Sequence, residues 1–152
     1  MRNILFLCTG NSARSIMAEA YMNHIGSGAG KGSWRAFSAG STPTGKVNPF
    51  ALETLRAHGV AQPEDARSKS WDEFATPGAP LMDVVVTVCD NAAGETCPLW
   101  PTRSGEAPRK RHWSFPDPAA VEGDDATKRA AFETVFADIR AKIDAFLSQP
   151  DN

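Results

Sequence analysis

The stretch CTGNSARS, residues 8–15, holds a thiol, two residues that tolerate unusual backbone angles, an arginine and a serine within one short run. Gly10 and Asn11 are the types that most easily take the left-handed conformations by which successive N–H groups converge on one point. Such a nest binds an anion. Arg14 adds a planar fork of donors suited to two oxygens of a tetrahedral oxyanion. Beside an arginine and a helix N-terminus a thiol loses its proton easily, so Cys8 is expected as a thiolate near neutral pH. The segment from Thr9 through Gly10, Asn11, Ser12 and Ala13 to Arg14 is therefore the expected oxyanion cradle, with Cys8 as the nucleophile beneath it. Ser15 either donates its hydroxyl to the thiolate or is an ordinary polar residue of an early helical turn.

The flanking elements decide whether that loop can work. NILFLC (3–8) is an unbroken apolar run of strand length, as a strand covered on both faces requires. Residues 14–25 follow with Ile16, Met17, Ala20, Tyr21 and His24 or Ile25 at helical spacing, so the loop wraps a helix N-terminus and gains the positive end of its dipole. WRAFSAG (34–40) reads as a second strand. A helix is expected over 49–58, opening on Pro49 and closing before Gly59, and a short one around 69–75. MDVVVTVC (82–89) is a third, β-branched strand, and RHWSF (111–115) a weaker fourth. The last segment, 125–147, places Ala131, Val135, Ile139, Ile143 and Phe146 or Leu147 on one helical face.

Strands alternating with helices imply a parallel sheet with right-handed crossovers, an α/β doubly wound domain spanning 1–152. Ligands of such folds sit beyond the carboxyl ends of the strands. Cys8 and Cys89 end strands one and three, and Asp117 follows strand four, so all three are expected on that edge.

Composition narrows the functions. A formal charge of −2 over 152 residues offers no general attraction to nucleic acid or anionic membrane. The first apolar run is too short for a signal peptide, and no stretch approaches the roughly 18 apolar residues of a membrane span. A cytoplasmic protein is expected. Three cysteines do not make a secreted disulfide scaffold, so the thiols should be reduced at rest. No Cys-x2-Cys or His-x3-His spacing indicates a metal site; none is expected, and His24, His58 and His112 read as structural.

CTGNSARS resembles the Cys-x5-Arg-Ser signature of low-molecular-weight protein tyrosine phosphatases and of the arsenate reductases that share their fold. The resemblance extends to FSAG (37–40), NP (48–49), RSKS (67–70), DVVVTVCD (83–90), HWSFPDP (112–118) and the final helix. It implies a flavodoxin-like, four-stranded parallel sheet in the order 2-1-3-4. Matched by position, it makes Cys8 the nucleophile, Arg14 the oxyanion clamp and Asp117 the general acid, with Asn11 and Ser38 supporting the loop. Cys89 and Cys97 stand where thiol-relay arsenate reductases carry their second and third cysteines, and DPAAVEG lacks the tyrosine that family phosphatases use for aromatic esters. Ala13 replaces a common cysteine, which directs oxidised Cys8 to Cys89. Lys69 stands where some members carry an acidic residue near a monovalent cation; its ammonium can replace such an ion, so no cation requirement is expected.

The resemblance thus implies reduction of arsenate to arsenite through a Cys8/Cys89/Cys97 relay, with phosphate or sulfate as competing oxyanions. No bound cofactor is expected. The partner would be an external thiol reductant, thioredoxin or a glutathione/glutaredoxin system, acting on a monomer. The alternative is a phosphatase that hydrolyses aryl phosphates through a Cys8 thiophosphate, with the extra thiols protecting Cys8 from overoxidation. A third reading is a non-catalytic oxyanion sensor. The run PRKR (108–111) reads as a solvated charge cluster.

Overall fold

The structure is a computed structural model, described here for residues 2–11, 13–26, 34–60, 68–75, 78–88 and 109–148. Four strands, β1 (Arg2–Leu7), β2 (Trp34–Ala39), β3 (Val84–Thr87) and β4 (Arg109–His112), form one parallel sheet in the order β2-β1-β3-β4. The expected order and strand direction are both present. In β1, Ile4 and Phe6 enter one apolar cluster while Leu5 and Leu7 enter another on the opposite face. A strand buried on both sides has no polar alternation, which is why NILFL is continuous.

Helices α1 (Arg14–Gly26), α2 (Pro49–Ala57) and α3 (Asp125–Leu147) contribute to the cluster that contains Ile4 and Phe6. Asn48 caps α2 by accepting from the Phe50 N–H at 2.9 Å, and Asp124 caps α3 by accepting from the Thr127 N–H at 2.9 Å. On the opposite face the described residues that pack against Leu5, Leu7 and Val85 include Met82 and the 3₁₀ turn Trp71–Phe74, the short helix expected around 69–75.

Four expectations shift. The fourth strand is Arg109–His112 and not 111–115, because an edge strand needs no apolar run; register with β3 (Val84↔Arg109 to Thr87↔His112) defines it instead. The third is shorter than 82–89, with Met82 buried ahead of it. On α3 the inward face carries Phe132 and Phe136 beside Val135, Ile139, Ile143 and Phe146, whereas Ala131 is half-buried. On α1, His24 is exposed and the apolar face runs through Ile16, Met17, Ala20 and Tyr21, joined by Ala18 and Met22.

Candidate active site

Cys8 follows β1 directly. Its N–H donates to the Ala39 carbonyl of β2 at 3.2 Å, its residue is only 4% exposed, and its sulfur is in no disulfide. The chain then turns sharply through Asn11, whose φ of 46° lies in the left-handed region that asparagine tolerates. The carbonyls around this turn are tied outward. Thr9 O accepts from the Thr42 N–H at 2.9 Å, and Gly10 O accepts from the Thr44 N–H at 3.1 Å and the Ser68 hydroxyl at 2.8 Å. A trans peptide points its N–H opposite to its carbonyl, so the N–H groups of Gly10 and Asn11 turn away from that support.

Asn11 is fully buried and serves as a brace. Its Oδ1 accepts from the Lys69 N–H and its Nδ2 donates to Ser15 Oγ, each at 2.8 Å. Because Ser15 Oγ accepts that bond, its own proton remains available to another acceptor. Gly40 closes the far side. Its N–H donates to Lys69 O and its carbonyl accepts from the Trp71 N–H, both at 2.9 Å. A Cβ there would lie 2.5 Å from Thr9 O and 2.6 Å from Cys8 O, so only glycine lets the two loops approach.

Beneath the loop sits a buried polar triad. Ser38 Oγ donates to Glu19 Oε1 at 2.5 Å, Lys69 Nζ donates to Ser38 Oγ at 3.3 Å, and Lys69 Nζ lies 3.9 Å from Glu19 Oε1. Ser38 therefore acts on the loop through Lys69, whose backbone holds Asn11 and Gly40. The Lys69 ammonium thus faces both Glu19 and Ser38.

Across the mouth, Arg14 opens α1, and its Nη1 donates to the Phe115 carbonyl at 3.0 Å. Its Nη2 is 3.8 Å from Asp117 Oδ2. Asp117 Oδ1 accepts from the Ala119 N–H at 3.0 Å, which caps the 3₁₀ turn Pro118–Ala120. One carboxylate oxygen is thus spent on its own turn and the other faces the clamp. Arg14 is largely buried and Asp117 about half exposed.

The structure brings Cys8, Thr9, Gly10, Asn11, Ala13, Arg14, Ser15, Ser38 and Asp117 to one edge of the sheet and its supports. Ser12, Cys89 and Cys97 lie outside the described residues. Val88, which precedes Cys89, donates its N–H to the carbonyl of Leu7, which precedes Cys8, at 2.8 Å. Sequence reasoning gave no role to Glu19, nor to Gly40, Ser68 and Phe115, although the last three lie in the segments FSAG, RSKS and HWSFPDP. Glu19 had a legible signal, being the helix's lone carboxylate, set between Ala18 and Ala20. Ser68 and Phe115 act through contacts that no local pattern reports. Among the described residues no three His, Cys, Asp or Glu side chains cluster as a metal site, and no helix is long and apolar enough to cross a membrane.

Known proteins resemble this chain along nearly its whole length. An arsenate reductase of Bacillus licheniformis is 35% identical over 146 residues, covering 95% of this chain and 94% of that protein. The crystal structure of an arsenate reductase from Archaeoglobus fulgidus superposes with a TM-score of 0.69 at 25% identity, over 96% of this chain and 99% of that one. A thioredoxin-dependent arsenate reductase of Corynebacterium glutamicum gives a TM-score of 0.63 at 27% identity, over 98% of this chain and 64% of that one. The model of the low molecular weight phosphotyrosine protein phosphatase family matches residues 3–151, and the chain belongs to that family.

Proposed function

We propose that this member of the family reduces arsenate to arsenite. The observation that carries the reading is the arrangement at the mouth of the loop: Arg14 bridges Phe115 and Asp117 while the Thr9 and Gly10 carbonyls are tied outward. The N–H groups of the turn and the Arg14 fork bind the arsenate oxygens. The Cys8 thiolate, accepting the Ser15 hydroxyl proton in a hydrogen bond, attacks arsenic. Asp117 protonates the departing oxygen, which leaves as water.

The next steps move two electrons. The Cys89 thiolate attacks the Cys8 sulfur, the S–As electron pair stays on arsenic, and arsenite departs from a Cys8–Cys89 disulfide. Cys97 then attacks Cys89, releasing the Cys8 thiolate and leaving a Cys89–Cys97 disulfide for an external dithiol. The Val88-to-Leu7 hydrogen bond supports the first exchange, since it aligns the residues preceding Cys89 and Cys8. A thioredoxin-like reductant is favoured by the likeness to the thioredoxin-dependent relative. Such chemistry belongs to a reducing compartment, and we assign the protein to the cytoplasm as a monomer.

The family's name supports a second reading, hydrolysis of aryl phosphates through a Cys8 thiophosphate. Two exposed alanines, Ala119 and Ala120, stand directly after Asp117 and Pro118 in place of a ring that would stack on an aryl ester. Parallel assays decide between the two. With thioredoxin, thioredoxin reductase and NADPH, kcat/KM for arsenate should exceed that for an aryl phosphate by at least about tenfold, and Cys97→Ser should halt turnover after one arsenite per chain. Aryl phosphate hydrolysis faster than arsenate reduction would reverse the assignment.

A further inference from the structure

Away from the Cys8 loop, the crevice between β4 and the last turns of α3 holds a cavity of about 170 Å3 lined by Arg111, Trp113, Lys142, Ala145 and Phe146. Two cations from separate elements flank it. Neither has an ion-pair partner among the described residues, whereas Arg14, Arg129 and Lys69 each face a carboxylate. The floor is aromatic and packed from below. Trp113, 8% exposed, packs tilted against Phe6 at 6.0 Å and edge-on to Phe146 at 5.7 Å, and Phe146, 3% exposed, meets Trp34 edge-on at 5.3 Å, so each presents only a rim to the cavity. Arg111 is paired in register with Val86 of the central sheet, so one charge starts from a fixed backbone.

We propose that this cavity binds a small, flat organic monoanion, with its carboxylate between Arg111 and Lys142 and its ring against Ala145 and the exposed rims of Trp113 and Phe146. A guanidinium recognises a carboxylate through two parallel hydrogen bonds, and the aromatic rims below favour a planar apolar body by edge contact. Size limits the ligand. Drug-sized pockets run to about 300–1,000 Å3, so this one takes a single ring and its carboxylate and not a nucleotide or a peptide. With a net charge of −2 on the chain, attraction for the anion is local to this pair. None of the five lining residues belongs to the oxyanion loop, the Arg14 clamp or Asp117.

The test is calorimetric titration of benzoate into the reduced full-length protein, with inorganic phosphate saturating the Cys8 loop. One benzoate per chain should bind with a Kd on the order of 1 mM or tighter. Benzamide, the neutral analogue of the same shape, should bind at least about tenfold more weakly. Arg111→Gln/Lys142→Gln should weaken benzoate by at least the same factor, and Ala145→Phe, which keeps both charges and puts a ring at the mouth, should abolish binding. Thermal melts establish that each variant is folded, and the benzamide comparison needs no variant. Absence of binding heat, equal affinity for benzamide, an affinity unchanged in the double variant, or loss of binding on adding phosphate would each overturn the proposal.

Discussion

Lys69 and Glu19 form an ion pair at 3.9 Å beneath the oxyanion loop, with both side chains nearly closed to water. Ser38 bridges them, and the Lys69 backbone holds Asn11 and Gly40, so one residue joins the buried charge to the loop that grips the anion. Lys69→Met removes the ammonium and leaves Glu19 buried without it, a change that costs about 3–5 kcal/mol. Denaturant titration should therefore show a large loss of stability. In the parent protein, replacing potassium with choline should change neither the melting temperature nor the rate of arsenite formation. A stimulation of several-fold by potassium would mean that the ammonium does not fill the cation's place.

Gly40→Ala tests the contact between β2 and the loop from the backbone side. Its Cβ would meet two carbonyl oxygens at 2.5 and 2.6 Å, neither of which can rotate away, so the Cys8–Thr9 backbone must move. Overpacking of this kind costs about 1–3 kcal/mol. Activity should fall further than stability does, because a displacement of the loop misplaces the nucleophile. A variant with parental kcat and melting temperature would show that the loop accommodates the methyl.

Asp117→Asn keeps the cap on the Ala119 N–H but removes the transferable proton. Loss of general-acid catalysis should slow the first chemical step by about 10²-fold or more, measured as the single-turnover rate of arsenite release. Arg14→Lys keeps one charge and loses the fork that reaches both Phe115 and the anion. It should raise KM for arsenate and lower kcat together.

Asp124 provides a pH signature independent of the active site. Hydrogen bonds from the Thr127 backbone N–H and then the Thr127 hydroxyl hold its carboxyl below its usual pKa. A carboxyl whose folded pKa is depressed stabilises the fold above its unfolded value near 3.8, and that contribution is lost as pH falls through the lower folded value. Asp124→Ala should thus lower the melting temperature by a few degrees at neutral pH. The difference from the parent should shrink as pH drops below 3.8; a difference that stays constant to the acid limit would remove the cap's charge from the explanation.

Much of this architecture is legible because local physics and global fold agree. NILFLC has to be a strand covered on both faces, and Cys8 and Arg14 stand around a turn that Gly10 and Asn11 make easy. Asp117 falls beside Arg14 because the chain leaves β4 at the same edge at which it enters α1. What escaped reading depends on pairings distant in sequence. RKRH is polar enough to pass for a loop and becomes β4 only through register with β3. Phe132 and Phe136 belong to the same broad apolar stripe as Ile139, and only packing against α1 and α2 decides that they, not Ala131, point inward. Glu19, Ser38 and Lys69 come from three separate segments, so their triad has no spacing to recognise. Gly40 ends the segment FSAG, but nothing in that segment tells that two carbonyls stand where its side chain would be.

The most direct measurement is a single addition of one equivalent of arsenate to the reduced protein without external thiol, followed by quantitation of arsenite and mass-spectrometric mapping of the remaining thiols. The reductase mechanism predicts one arsenite per chain and the loss of two thiols, mapped as a Cys89–Cys97 disulfide with Cys8 reduced. No arsenite and three intact thiols, both with the protein alone and after adding glutathione, would contradict it and leave the phosphatase reading in its place.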